Sequence, residues 1–95
     1  MAWVPRESYI ELNVVSESEG AGWWCRKVQW GGRRSAPDRV FAKKGRVVWI
    51  EFKRPGERPT TVQTREHERM RAAGMEVYWC DDLDTARKIL GLRIP

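Results

Sequence analysis

The chain of 95 residues carries 18 Lys/Arg against 13 Asp/Glu, a formal charge of +5, with two cysteines and one histidine. That length holds one domain, residues 1–95, with a small core; no apolar run approaches the roughly 20 residues of a membrane span, and Met1–Arg6 lacks the charged start and long apolar stretch of a signal peptide. Cys25, Cys80 and His67 are too few and too dispersed for a zinc site, so both thiols are expected reduced and buried in a soluble, intracellular protein.

In chain order, Arg6–Val15 sets Ile10 and Val14, with Tyr9 or Leu12, on one side of a short helix, an extended stretch being the alternative. Ser16–Gly22 is polar and Gly-rich and reads as a loop or frayed helix end. Trp23–Trp30 reads as a first strand by residue type, although neither of its faces is cleanly apolar. Gly31–Pro37 is a basic connection whose Gly pair lets the backbone approach a phosphate while Arg33 and Arg34 supply charge. Asp38–Ala42 and Val47–Lys53 are strands rich in β-branched and aromatic residues, joined through Lys43-Lys-Gly-Arg46 as a hairpin. Arg54–Pro59 is a second basic Pro/Gly loop. Thr60–Ala73 is a helix opened by a Thr60/Gln63 capping box and stopped by Gly74. Glu76–Cys80 is a strand, and Asp81–Leu90 a helix with acids in its first turn and Arg87 and Lys88 near its last. The order α-β-β-β-α-β-α predicts an α/β fold with a mixed sheet. Its second hairpin strand and Glu76–Cys80 run parallel through a helical crossover.

The hairpin has a chemical consequence. A loop centred on Lys44 and Gly45 pairs Ala42 with Val47, so that paired numbers sum to 89 and Asp38 falls opposite Glu51. Strand side chains alternate faces, which puts Glu51 and Lys53 on one face. Carboxylates directly opposite each other repel. A divalent cation offsets that repulsion, Mg²⁺ typically being held by one or two carboxylates plus waters and phosphate oxygens. The plainer alternative is a surface Asp and Glu paired with nearby Arg or Lys. The setting favours the cation, because eleven Lys/Arg against three acids lie between Arg26 and Arg58, whereas the rest of the chain has seven against ten. A cationic field around a carboxylate pair suits a polyanion held by its phosphates.

Pro37-Asp38 followed by Glu51-Phe-Lys53 has the form Pro-Asp…(Asp/Glu)-x-Lys and resembles the restriction-endonuclease-like, PD-(D/E)XK superfamily. Glu7-x-x-Ile10, Arg26-Lys-Val28, Gly32-Arg-Arg-Ser-Ala-Pro-Asp38-Arg39, Val48-Trp-Ile-Glu51-Phe-Lys53-Arg-Pro-Gly56, Thr61-Val-Gln63 and Met70-Arg-Ala-Ala-Gly74 extend the likeness. Together they are similar to its virus-type replication-repair (VRR-NUC) branch over Glu7–Leu90, with Ala36 where the family usually has Gly. The resemblance implies an αβββαβ core and a Mg²⁺- or Mn²⁺-dependent phosphodiesterase acting on DNA, similar in short phage members to homodimeric Holliday-junction resolvases. A phage or prophage protein acting in the host cytoplasm is expected on the same ground.

Carried over residue by residue, the resemblance makes Asp38 and Glu51 metal ligands, with the Phe52 main-chain carbonyl beside them. Glu7 is the further ligand from the first helix, with Glu17 and Glu19 as substitutes. Lys53 orients the attacking water, and Gln63 holds a metal-bound water or the scissile phosphate unless its capping role takes the side chain. His67 is expected to be packed or capping rather than catalytic. Arg26, Lys27, Arg33, Arg34, Arg39 and Arg54 are the expected phosphate contacts, and Trp49 either packs or meets substrate. A catalytically silent DNA-binding module and an RNA-directed nuclease are the competing readings.

Overall fold

The computed structural model describes residues 5–32 and 35–95, so Met1–Val4, Arg33 and Arg34 lie outside the described residues. Seven elements follow in order: α1 (Glu7–Gly20), β1 (Trp24–Lys27), β2 (Arg39–Lys43), β3 (Arg46–Phe52), α2 (Thr61–Ala72), β4 (Glu76–Cys80) and α3 (Leu83–Leu90). The strands form one sheet in the order β1-β2-β3-β4, antiparallel across the first three and parallel between β3 and β4. This is the mixed α/β sheet with flanking helices expected from the element order. Among the described residues no helix is long and apolar enough to cross a membrane.

The hairpin register matches the turn chemistry. Ala42 pairs with Val47 and Lys43 with Arg46, because Lys44 at φ 49° and Gly45 at φ 84° both sit at positive φ, as a two-residue hairpin loop with matching twist requires. Alternation then divides the sheet. Cys25, Phe41, Val48, Ile50, Phe52 and Cys80 meet Ile10 and Val14 of α1 and Ala86 and Leu90 of α3 in the main core. Trp24, Arg26, Val40, Ala42, Val47, Trp49, Glu51 and Val77 alternate to the other face. There α2 covers only the β4 side, bringing buried His67 and Met70 to it.

Two boundaries differ from expectation. The polar stretch Ser16–Gly20 continues α1 rather than opening a loop. Its Ser18 is buried, its hydroxyl donates to the Val15 carbonyl, and Trp23 N–H closes back onto the Ser18 carbonyl at 2.9 Å. The first strand is cut to Trp24–Lys27, with Trp30 in an isolated bridge. After Lys27 one further link, Val28 N–H to the Asp38 carbonyl at 3.0 Å, ties the chain to the start of β2.

Candidate active site

Glu51 is 3% exposed near the end of β3, and four groups are arranged around its carboxylate. Lys53, two residues on and on the same face, brings Nζ to 3.7 Å from Oε2. Gln63 donates from Nε2 to the same oxygen at 3.2 Å. His67, one turn further along α2 and 2% exposed, sets Nε2 3.7 Å from Oε1. Asp38, just before β2, raises the electrostatic load, and its Oδ2 accepts the Phe52 N–H at 2.7 Å.

Gln63 performs the capping role with one end of its amide and leaves the other end for Glu51. Its Oε1 accepts the Thr60 N–H at 2.9 Å while Thr60 Oγ1 accepts the Gln63 N–H, a complete capping box. The main-chain donor fixes which end of the amide faces Thr60. The NH₂ end is thereby aimed at Glu51. Helix capping and carboxylate orientation are one device.

Asp38 carries the electrostatic cost. Burial above all, with Glu51 and Glu11 adding to it and the Phe52 N–H and the Lys53 ammonium pulling against them, leaves its carboxyl pushed up to about 6. A carboxyl this strained is stabilised in its charged form by a cation. Among the described residues Glu51 Oε1 is buried with no hydrogen-bond partner, and so is His67 Nε2. The donor set of two acids, one with an open buried oxygen, fits a Mg²⁺-type ion that keeps most of its waters. Among the described residues no three His, Cys, Asp or Glu side chains form a fuller cage.

On α1 the acid whose charge bears on Asp38 lies one turn from the one expected. Glu7 is exposed at the start of α1, and it is Glu11, one turn on, that acts on Asp38. Glu11 is 7% exposed, accepts from Arg39 Nε at 2.6 Å, and has Lys27 Nζ at 3.8 Å. The available signal was its place between Ile10 and Val14 on the buried stripe of the helix. Glu17 is engaged elsewhere, in a two-pronged bond with Arg87 at 2.8 and 2.9 Å that ties α1 to α3 and holds the Glu17 carboxyl below its usual range. Glu19 is exposed.

The cations divide in the same way. Arg39 is committed to Glu11 and its side chain is only 16% exposed, so it braces the site rather than reaching for phosphate. Arg26, Lys27 and Arg54 are exposed. Trp49 packs against Trp30, with ring centroids 5.7 Å apart. Both cysteines are free and buried, and Cys80 is pushed up to about 12 by burial, which leaves it inert.

A half-buried acid whose charge cost a second, buried acid raises, a lysine within reach of that second acid, and an amide that holds one of its oxygens and leaves the other open can bind a hydrated cation and a phosphate together. No family model matches the chain. The protein named "Putative nuclease p44", from Acyrthosiphon pisum secondary endosymbiont phage 1, is 42% identical over 80 residues, covering 83% of this chain and 86% of that protein. A solved structure described as a VRR_NUC domain superposes with a TM-score of 0.81 at 28% identity, over 90% of this chain and 94% of that one.

Proposed function

The chain belongs to the VRR-NUC nuclease family, and from that membership we propose that residues 1–95 work as one Mg²⁺- or Mn²⁺-dependent endonuclease domain that hydrolyses DNA phosphodiesters. The observation that carries the metal-dependent reading is the pairing of Asp38, pushed up to about 6 by burial and by neighbouring acids, with Glu51, whose buried Oε1 has no partner. Asp38 and Glu51 hold the ion, with the Phe52 main chain beside them, and Glu11 rather than Glu7 adds the charge from α1. When bound, the ion supplies Lewis acidity, lowers the pKa of a water and templates the phosphate.

The chain's own groups do the rest. Lys53 donates from Nζ to the attacking water or a non-bridging phosphate oxygen and offsets the charge that develops there. Gln63 fixes the Glu51 carboxylate so that Oε1 stays open. Arg26, Lys27 and Arg54, with Arg33 and Arg34, position the backbone without reading sequence. One such site cuts one strand, so symmetrical cleavage of branched DNA needs a two-fold homodimer. We place its action, as for a phage-encoded resolvase, in the host cytoplasm.

The test compares a labelled four-way junction, its linear duplex and the matched RNA strand, with Mg²⁺, with Mn²⁺ and with EDTA. The expected result is metal-dependent, symmetrically placed nicks on the junction, reduced at least about 10²-fold by Lys53→Ala and Asp38→Asn. Tight DNA binding with no cleavage under any metal would instead make the chain a silent binding module.

A further inference from the structure

We propose that the sheet face opposite α1 and α3 is a platform for an unpaired DNA strand, with Trp24 as the stacking surface and Arg26 as its phosphate contact. The choice of DNA rests on the nuclease reading above. Trp24 is 49% exposed although it lies within a strand, and so large an apolar group left in water marks an interaction site when neighbours extend it. Val47, 46% exposed, and Ala42 do so: register places Trp24 beside Ala42 and Ala42 beside Val47.

The charge is built in beside the ring. The Arg26 guanidinium lies 4.6 Å from the Trp24 ring centroid, and its Nη1 donates to the Cys25 carbonyl at 2.7 Å, so the cation is fixed over one side of the indole. Stacking aromatics with adjacent Arg are how sequence-tolerant sites hold single strands. The platform is continuous with the active site. Arg26 pairs through Val40 to Trp49, and Glu51 is the next residue of β3 on that face. Two strand spacings and four residues of rise separate Trp24 from Glu51 by about 16 Å. A bound strand spans that distance readily, single-strand sites on small folds covering roughly 4–16 nucleotides.

A second copy of the chain is the weaker occupant. In a two-fold contact each patch meets itself, and the only acid among the strand residues on this face is Glu51, which is buried and already engaged. Self-docking therefore sets Arg26 against strand residues that offer it no free acid, at a desolvation cost that is not recovered. A nucleic acid supplies both the rings and the phosphates.

The test uses the whole chain in EDTA, where nothing is cut, and measures anisotropy of a labelled 12-nucleotide DNA strand and of its duplex. Trp24→Leu keeps apolar bulk without a π-face, and Trp24→Phe keeps the face. The single-strand to duplex affinity ratio should fall about ten-fold in Trp24→Leu and stay within about three-fold in Trp24→Phe. Arg26→Gln should reduce the salt slope for the single strand by about 0.7. Equal ratios in wild type, Leu and Phe variants would overturn the proposal. So would a wild-type dimer that Trp24→Leu turns to monomer in sedimentation, since a second copy would then own the face. Wild type that stacks a strand through Trp24 yet cuts nothing with Mg²⁺ would support the platform and remove only the nuclease reading.

Discussion

Asp38 is the residue at which the proposed metal-binding role and stability oppose each other. Its carboxyl ionises at about 6 in the fold against 3.8 as a free group, so the folded chain binds this proton more tightly than the unfolded one. Stability from this group is therefore greatest at low pH, falls as pH rises from 3.8 through about 6, and stays lost above. Asp38→Asn removes the charge while its side-chain oxygen can still accept the Phe52 N–H. In metal-free buffer the variant should melt several degrees above wild type at pH 7.5, and the gap should narrow as pH falls through about 6 and close only near 3.8. Added Mg²⁺ should raise the melting temperature of wild type and leave the variant unmoved, because binding to the folded state alone is stabilising. A variant that melts below wild type at pH 7.5 would show that Asp38 is not strained.

At the scale of elements, α2 acts as a lever that sets Glu51, and Gln63 is where the two meet. Gln63→Glu keeps a capping box, since Glu serves that position equally, but sets a like charge against Glu51. It should fold with a melting temperature close to wild type and lose about 10²-fold in cleavage rate, whereas Gln63→Ala should lose activity and also about 1 kcal/mol of stability with the cap. If Gln63→Glu cleaves normally, the contact to Glu51 is incidental. The capping box was legible beforehand because it is local chemistry within four residues, as was the hairpin register, fixed by Lys44 and Gly45. The convergence of Glu51 and Lys53 followed from strand period alone. What was not legible depended on tertiary partners. Glu11 looks like any helix acid until Arg39 arrives from 28 residues away, and Ser16–Gly20 reads as either a polar loop or a frayed helix end until the burial of Ser18 holds it helical. Likewise the short first strand reflects neighbours, since its open face gives it no apolar periodicity to read.

For the molecule as a whole, the cations between Arg26 and Arg58 are not equivalent, and among the described residues the fold holds some in ion pairs and leaves others exposed. Arg39 is held by buried Glu11 and Arg46 by Glu76 through two bonds at 3.1 and 2.9 Å, so the charge of each is already paired with a protein carboxylate. Among the described residues Arg54 has only a solvent-exposed partner, Glu57 at 3.9 Å, which is too loose and too screened to hold it. Each phosphate neutralised by such a cation releases counterions, and the slope of log affinity against log salt counts them at about 0.9 apiece on duplex DNA. Arg54→Gln should therefore lower that slope by about one with its melting temperature unchanged. Arg39→Gln should do the reverse, leaving the slope intact while lowering stability by roughly 3 kcal/mol or more, because removing one partner of a buried pair strands the other charge. Duplex titrations from about 50 to 200 mM salt, beside thermal melts of the same two variants, separate the two kinds of cation. An Arg39 variant that melts normally but loses salt slope would move that residue from the brace to the DNA-binding surface.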